Sequence, residues 1–293
     1  MRFEKWQALG NDYLIVERDQ LPFELTGARV RRLCAAHFGV FADGVLLLEP
    51  SEDPEIVAAL TIYNPDGSPA ELSGNGAREA IMYLRLRGWT DRDQFAIQTP
   101  AGVVRPTVTG PHTCRVQMGR ATLTSKDFPS GPGDGRGELV ADGRRWSFRH
   151  VSIGNPQCAI RVPDVATLQA LDLPVIGPGL EGHELFPNRT NVSWYTELTP
   201  PAEAAGTGVA QIRARIFERG VGETLSSGTG AGGAALAYHL AGGPANVQVL
   251  LDGGELDVEI GADLSVTLTG WARPVFAGEL SEDFLKELHA TTE

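Results

Sequence analysis

Hydrophobic positions along the chain follow two different periods. Between residues 77 and 87, Ala77, Ala80, Ile81 and Leu84 fall at helical spacing, and Gly88 stands where a C-terminal cap belongs. This predicts a helix of about three turns. The stretch from Ala231 to Leu240 is apolar almost all round, through Ala234, Ala235, Leu236, Ala237 and Leu240, and stops at Gly242-Gly243-Pro244. A helix without a polar face must be enclosed on every side. Period two takes over in Leu256, Val258, Ile260 and again in Leu264, Val266, Leu268, with the turn residues Gly261-Ala262-Asp263 between them. Those runs predict hairpin strands. Residues 282–289 read as a short surface helix.

The two apolar helices share an entrance. Ser73-Gly74-Asn75-Gly76-Ala77 precedes the first and Ser227-Gly228-Thr229-Gly230-Ala231 the second. Upstream, Gly10-Asn11 leads into Tyr13 to Val16 much as Gly154-Asn155 leads into Cys158 to Val162. A repeat this long means duplicated domains rather than a solenoid of short units. The expected fold is α+β: two pseudo-symmetric lobes, each an antiparallel sheet curled around one central apolar helix. The expected boundaries are 1–121 with 272–293 for the N-terminal lobe and 122–271 for the C-terminal lobe. The polar, Gly- and Pro-rich stretch from Lys126 to Gly137 is the candidate interlobe connection or exposed loop.

Composition narrows the partners. With 293 residues, 42% of them hydrophobic, the chain is long enough for two domains of common size. A formal net charge of −12 and the lack of a basic stripe argue against nucleic acid. The residues Met1 to Trp6 lack the apolar core of a secretory signal, and no run approaches the roughly 20 apolar residues of a membrane span. A cytoplasmic protein with a small-molecule partner and no membrane partner is expected. Three widely spaced cysteines, Cys34, Cys114 and Cys158, read as buried reduced thiols. The six scattered His form no ligand spacing, so no metal is expected.

Chemistry concentrates at the two helix entrances. The first N–H groups of a helix have no intrahelical partner, and the helix dipole adds positive potential at the same point. Carboxylate or phosphate binds there. Gly74 and Asn75, like Gly228 and Thr229, would supply those donors, flanked by the hydroxyls of Ser73 and Ser227. Asn11, Asn64, Asn155 and Asn191 lie in short polar turns bordered by apolar residues and are candidate neutral partners, although each taken singly suits a turn as well. Glu218 and Arg219 follow the alternating stretch Gln211 to Phe217: Glu218 as a candidate base near Ser227, Arg219 as a bidentate carboxylate clamp. An exposed pair at a strand end is the alternative. Gly228-x-Gly230-x-x-Gly233 matches the dinucleotide fingerprint, but ten residues separate Phe217 from Gly228, and the sister entrance has Glu79 at the third glycine. Nucleotide binding becomes a minor alternative.

Across nearly its whole length the chain resembles the diaminopimelate epimerase and proline racemase family. The matching pieces are Leu9-Gly10-Asn11-Asp12, Phe38-Gly39 with Ala42-Asp43-Gly44, Asn64-x-Asp66-Gly67-Ser68, Gln98-Thr99-x-Ala101-Gly102, Gly154-Asn155-Pro156, Asn191-Val192, Glu218-Arg219-Gly220-x-Gly222-Glu223-Thr224 and both serine entrances. The resemblance implies an active site shared by the two lobes, no cofactor, and a homodimer. It also implies two cysteines on opposite faces of a substrate Cα, one removing a proton and the other delivering one. Here Ser73 and Ser227 stand at both cysteine positions, Gln157 replaces the usual auxiliary His, and Phe41 stands where relatives carry a small residue.

Serine is the poorer base, because a thiol near pKa ~8.5 is readily lowered by a helix N-terminus whereas an alcohol starts far higher. Glu218 next to Ser227 would compensate by taking the proton through the hydroxyl. Gln157 is an amide and does not titrate. The expected function is epimerisation of LL-2,6-diaminopimelate to the meso form by two-base proton transfer, a step of lysine and peptidoglycan precursor synthesis. Two alternatives stay open: one-base isomerisation of another small carboxylate, and a silent homologue, or a chain with both cysteines exchanged, that only binds ligand.

Overall fold

A computed structural model describes residues 1–70, 73–199, 203 and 206–291. The chain forms two compact units, Met1–Val116 with Gly270–Glu293, and Gln117–Thr269. Unit 1 begins with β1 (Arg2–Ala8), β2 (Asn11–Glu17), α1 (Gly27–Cys34), β3 (Val45–Pro50), β4 (Ile56–Tyr63) and β5 (Pro69–Ala70). It continues through α2 (Gly74–Leu86), β6 (Ala96–Thr99), β7 (Gly102–Val104), β8 (Thr107–Gly110) and β9 (Thr113–Arg120), the last of which crosses into unit 2. Unit 2 contains β10 (Arg136–Ala141), β11 (Arg144–Ser152), β12 (Pro156–Arg161), α3 (Val165–Gln169), α4 (Leu173–Glu181) and β13 (Asn191–Glu197). There follow β14 (Val209–Glu218), β15 (Gly222–Thr224), α5 (Gly228–His239), β16 (Asn246–Leu251), β17 (Gly254–Ile260) and β18 (Ser265–Trp271). The chain closes with β19 (Arg273–Glu279) and α6 (Glu282–Ala290) in unit 1.

The duplication is written in the strand order. Unit 1 runs β19-β1-β2-β3-β4-β6-β7 with β5 on β4, and unit 2 runs β10-β11-β12-β13-β14-β16-β17 with β15 on β14. Each step has the same sense in both copies. Most pairs are antiparallel, as expected, but β2/β3 and β4/β6 are parallel, and so are β12/β13 and β14/β16. The reason is connectivity: α1, or α3 with α4, carries the chain over one parallel pair, and the central helix carries it over the other. A crossover of this kind returns a strand in its original direction. The β17/β18 hairpin expected from period two is present, with Val258 opposite Leu268. The segment 126–137 lies inside unit 2, irregular and largely exposed until it enters β10 at Arg136, so it is an exposed loop and not a connection between lobes.

Each central helix is capped and sealed. In α2 every residue from Asn75 to Leu84 is buried, and Gly88, just past the C-cap Arg87, has φ +77°. The Trp89 N–H closes back on Leu84 O at 3.0 Å, which satisfies one of the terminal carbonyls. The helix α5 is buried almost throughout, as its lack of a polar face requires. The opposite faces of the sheets are covered by α1 with α6 in unit 1 and by α3 with α4 in unit 2. Val30, Leu33 and Leu288 anchor the first of these cores, and Trp146, Leu168, Leu180 and Trp194 the second. Leu288 makes α6 a docked helix rather than a purely superficial one. All three cysteines are buried and unpaired, and burial pushes the thiols of Cys34 and Cys114 up to about 12.

Helical spacing in α2 did not announce that Arg78 and Glu79 are enclosed too. Their exposures are 1% and 0%. Arg78 Nη2 donates to Asn75 Oδ1 at 2.7 Å, while neither Glu79 oxygen makes a hydrogen bond of ordinary geometry. Burial holds the Glu79 carboxyl well above the carboxylate range, against the attraction of the Arg78 guanidinium. The folded state therefore binds a proton that the unfolded chain releases, so this residue's contribution to stability is complete at acid pH and declines as pH rises past 4.5. Glu79→Gln is expected to flatten that decline. Urea unfolding from pH 4 to 8 should show the variant gaining on the native chain as pH rises; a constant difference would contradict the assignment.

Candidate active site

The two helix entrances are built alike. Ser73 caps α2 with φ −123° and ψ 123°, and Ser227 caps α5 with φ −144° and ψ 124°. Extended backbone at the cap turns each side chain back over the first turn. Ser73 Oγ accepts the Gly76 N–H at 3.1 Å, and Ser227 Oγ accepts the Gly230 N–H at 3.2 Å. Each hydroxyl oxygen thus sits at the positive end of a buried helix with an amide donor already on it. Negative charge developing on that oxygen, or on an anion beside it, is stabilised there.

In unit 2 the predicted residues are brought together. Ser227 Oγ donates to Glu218 Oε2 at 3.0 Å, and Glu218 is the last residue of β14. Burial raises the Glu218 carboxyl above its ordinary value, against the lowering effect of the Ser227 hydroxyl. Asn155 Nδ2 donates to Thr229 Oγ1 at 3.2 Å, and Asn155 Oδ1 accepts from Gln157 Nε2 at 2.7 Å. Asn155 therefore ties the Gly154 turn to the first turn of α5. Asn191 is a clamp: its Nδ2 donates to Pro156 O at 3.0 Å and its Oδ1 accepts the Arg219 N–H at 2.8 Å. Both of those partners are main chain, so this side chain holds the strand ends in place. The Arg219 side chain lies exposed, with Nη1 on Asn188 O at 2.9 Å.

Gln157 is buried beneath α5, and its Oε1 has no hydrogen-bond partner. A Cβ at Gly233 would meet the Gln157 Cβ at 2.9 Å. The third glycine of the dinucleotide-like motif thus serves helix-on-strand packing, and the strand β15 intervenes between β14 and the helix. The fingerprint match is a packing feature.

In unit 1 the arrangement is looser. Asn11, first in β2, donates through Nδ2 to Asp43 Oδ2 at 2.7 Å, and Asp43 also accepts the Asp12 N–H at 3.0 Å. Asn64 serves a turn, its Nδ2 donating to Ser68 Oγ at 3.0 Å and its carbonyl accepting the Gly67 N–H at 2.9 Å. Asn75 Oδ1 takes the Arg78 guanidinium described above. Two residues escaped the sequence reading: Asp43, which positions Asn11, and Tyr13, whose OH lies 3.2 Å from Ser73 Oγ. Asp43 carried a signal in Ala42-Asp43-Gly44. Tyr13 reads as core from its apolar neighbours, and it is indeed 5% exposed.

This geometry can hold an anion at either helix start and move a proton through a serine. Comparison with known proteins is decisive about kinship. The diaminopimelate epimerase family model matches residues 3–124 and 149–274. This chain belongs to the diaminopimelate epimerase family. It is 36% identical over 289 residues to diaminopimelate epimerase 2 of Nostoc sp., covering 97% of this chain and 96% of the relative. It is 38% identical over 290 residues to the diaminopimelate epimerase of Pelotomaculum thermopropionicum, covering 95% and 98%. Solved structures share the fold at low identity. A probable proline racemase from Agrobacterium radiobacter gives a TM-score of 0.67 at 16% identity, covering 96% of this chain and 93% of that one. A Bacillus anthracis phenazine biosynthesis protein of the PhzF family gives 0.68 at 18%, covering 96% and 99%. The family is one of isomerases. Among the described residues no helix is long and apolar enough to cross a membrane, and no group of three or more His, Cys, Asp and Glu side chains forms a metal site.

The double bond made by Asn191 sets a cost. Asn191→Ala leaves the Arg219 N–H and the Pro156 carbonyl without their partner at a buried point, so a loss of about 1–3 kcal/mol is expected in urea unfolding. A change below about 0.5 kcal/mol would refute the clamp.

Proposed function

We propose that this protein interconverts LL- and meso-2,6-diaminopimelate, in lysine and peptidoglycan precursor synthesis. Ser73 and Ser227 act on one Cα from opposite faces and no cofactor takes part. The observation that carries the reading is the Ser227–Glu218 hydrogen bond of 3.0 Å at a helix N-terminus. It gives an alcohol, which is a feeble base alone, a carboxylate to which its proton can go. As Ser227 Oγ takes the Cα proton, its own proton passes to Glu218, and the electron pair of the C–H bond remains on Cα. The substrate α-carboxylate lies on the first-turn N–H groups of the helices, at Gly74, Asn75, Gly228 and Thr229, where charge spreading from Cα is stabilised. Asn11, Asn64, Asn155 and Arg219 serve the remaining polar groups of the substrate, with Asn191 and Gln157 supporting them. Family membership supports the substrate, and the matching caps support the pairing of the serines.

Incubation with LL-diaminopimelate in D2O tests this. Deuterium at Cα together with meso product is expected. Exchange without inversion would replace the proposal by a one-base isomerase, and binding without exchange would leave a ligand-binding homologue. Glu218→Gln is expected to slow the reaction about 100-fold, the ordinary worth of a positioned acid or base. Because the carboxylate is the active form and burial raises its pKa, the rate should climb with pH through a midpoint above 4.5. A pH–rate profile with no such limb would contradict the role.

A further inference from the structure

The two serines are capped alike, yet their proton partners differ. Ser227 donates to a carboxylate at the end of β14. The strand in the same place in unit 1 is β4, which ends on Tyr63 and offers no carboxylate. The partner of Ser73 comes from the neighbouring strand instead: Tyr13 OH donates to Ser73 Oγ at 3.2 Å. Counted from the shared Gly-Asn pair, Tyr13 is the counterpart of Gln157, which bonds Asn155 and not a serine. Gly44 lies against this ring: a Cβ there would meet the Tyr63 carbonyl oxygen first and would come within 2.6 Å of the Tyr13 ring.

We infer that Tyr13 is the proton partner of Ser73, as Glu218 is of Ser227. The inference rests on the proposed function and adds the missing half of its proton path. With Ser73 Oγ already accepting from Tyr13 OH and from the Gly76 N–H, its own proton is directed elsewhere, which sets Ser73 as the donor in the resting enzyme. Ser227, whose proton lies toward Glu218, is set as the acceptor. When Ser73 protonates the carbanion at Cα, the Tyr13 proton moves to Ser73 and leaves a phenolate, while Glu218 on the other side has become a carboxylic acid. The reverse reaction runs the same transfers backwards. Solvent exchange also restores the starting pair. A phenol suits this task because its ordinary pKa, near ~10, is far closer to working pH than that of an aliphatic alcohol. Tyr13 acts through Ser73 and is a positioning residue.

The test is a double-mutant comparison on the full chain, read as LL-to-meso turnover. Tyr13→Phe keeps the ring and removes only the oxygen. In the native background it is expected to lower kcat about 100-fold with KM within about threefold. Ser73→Cys supplies a thiol that a helix N-terminus can activate unaided, so in that background Tyr13→Phe should cost no more than about threefold. Equal losses in both backgrounds would mean a packing role and would overturn the inference, as would full activity of Tyr13→Phe alone; either result leaves the epimerase reading standing. Absence of both exchange and turnover in the native chain would overturn the epimerase reading itself, and the role of Tyr13 with it.

Discussion

Everything at each helix entrance depends on how a buried helix begins. A helix enclosed by a sheet cannot leave its first N–H groups to bulk water, so something on the chain or from solution must meet them. Serine does part of this in both units, its Oγ taking the third-residue N–H at 3.1 and 3.2 Å. The same bond that stabilises the helix also prepares the oxygen for charge. In the proposed reaction folding and chemistry therefore share one contact, and the remaining first-turn donors are where a substrate carboxylate is held.

Duplication explains the scaffold but not the division of labour. The strands β1–β7 and β11–β17 follow one order with the same pattern of parallel and antiparallel pairs. Onto this common plan each unit grafts different side chains. Unit 2 has Gly233 in α5, which lets Gln157 approach closely, and Gly232, which faces Ile153 and Val266, and it places Glu218 on the serine. Unit 1 has the bulkier Arg78 and Glu79 at the corresponding places in α2 and sets a phenol on the serine. The two units thus carry like entrances with unlike hydrogen-bond partners.

The several asparagines are each fixed by their own surroundings, in different ways. Asn191 and Asn64 are engaged with their own surroundings, the first clamping strand ends and the second closing a turn. Asn11 and Asn155 are oriented by Asp43 and Gln157 respectively. The Asn11 amide is held through its Nδ2, whereas the Asn155 amide is engaged at both ends, by Thr229 and by Gln157, so each keeps a fixed direction.

Much of this was legible in the chain itself. The helical and twofold periods located α2, α5 and the β17/β18 hairpin, because burial on one face or all faces dictates which positions are apolar. The repeated Ser-Gly-x-Gly entrances marked both caps, since capping is a local interaction spanning three residues. Glu218 was within reach because it ends an alternating run close to Ser227 in sequence. Tertiary structure alone decided the parallel pairs, which depend on where a crossover lands, and the burial of Arg78 and Glu79, which no spacing announces. It alone brought Tyr13 to Ser73 across 60 positions of chain. Contacts of that range are set by strand order and by the room a glycine leaves, neither of which has a signature in the residues next to the one concerned.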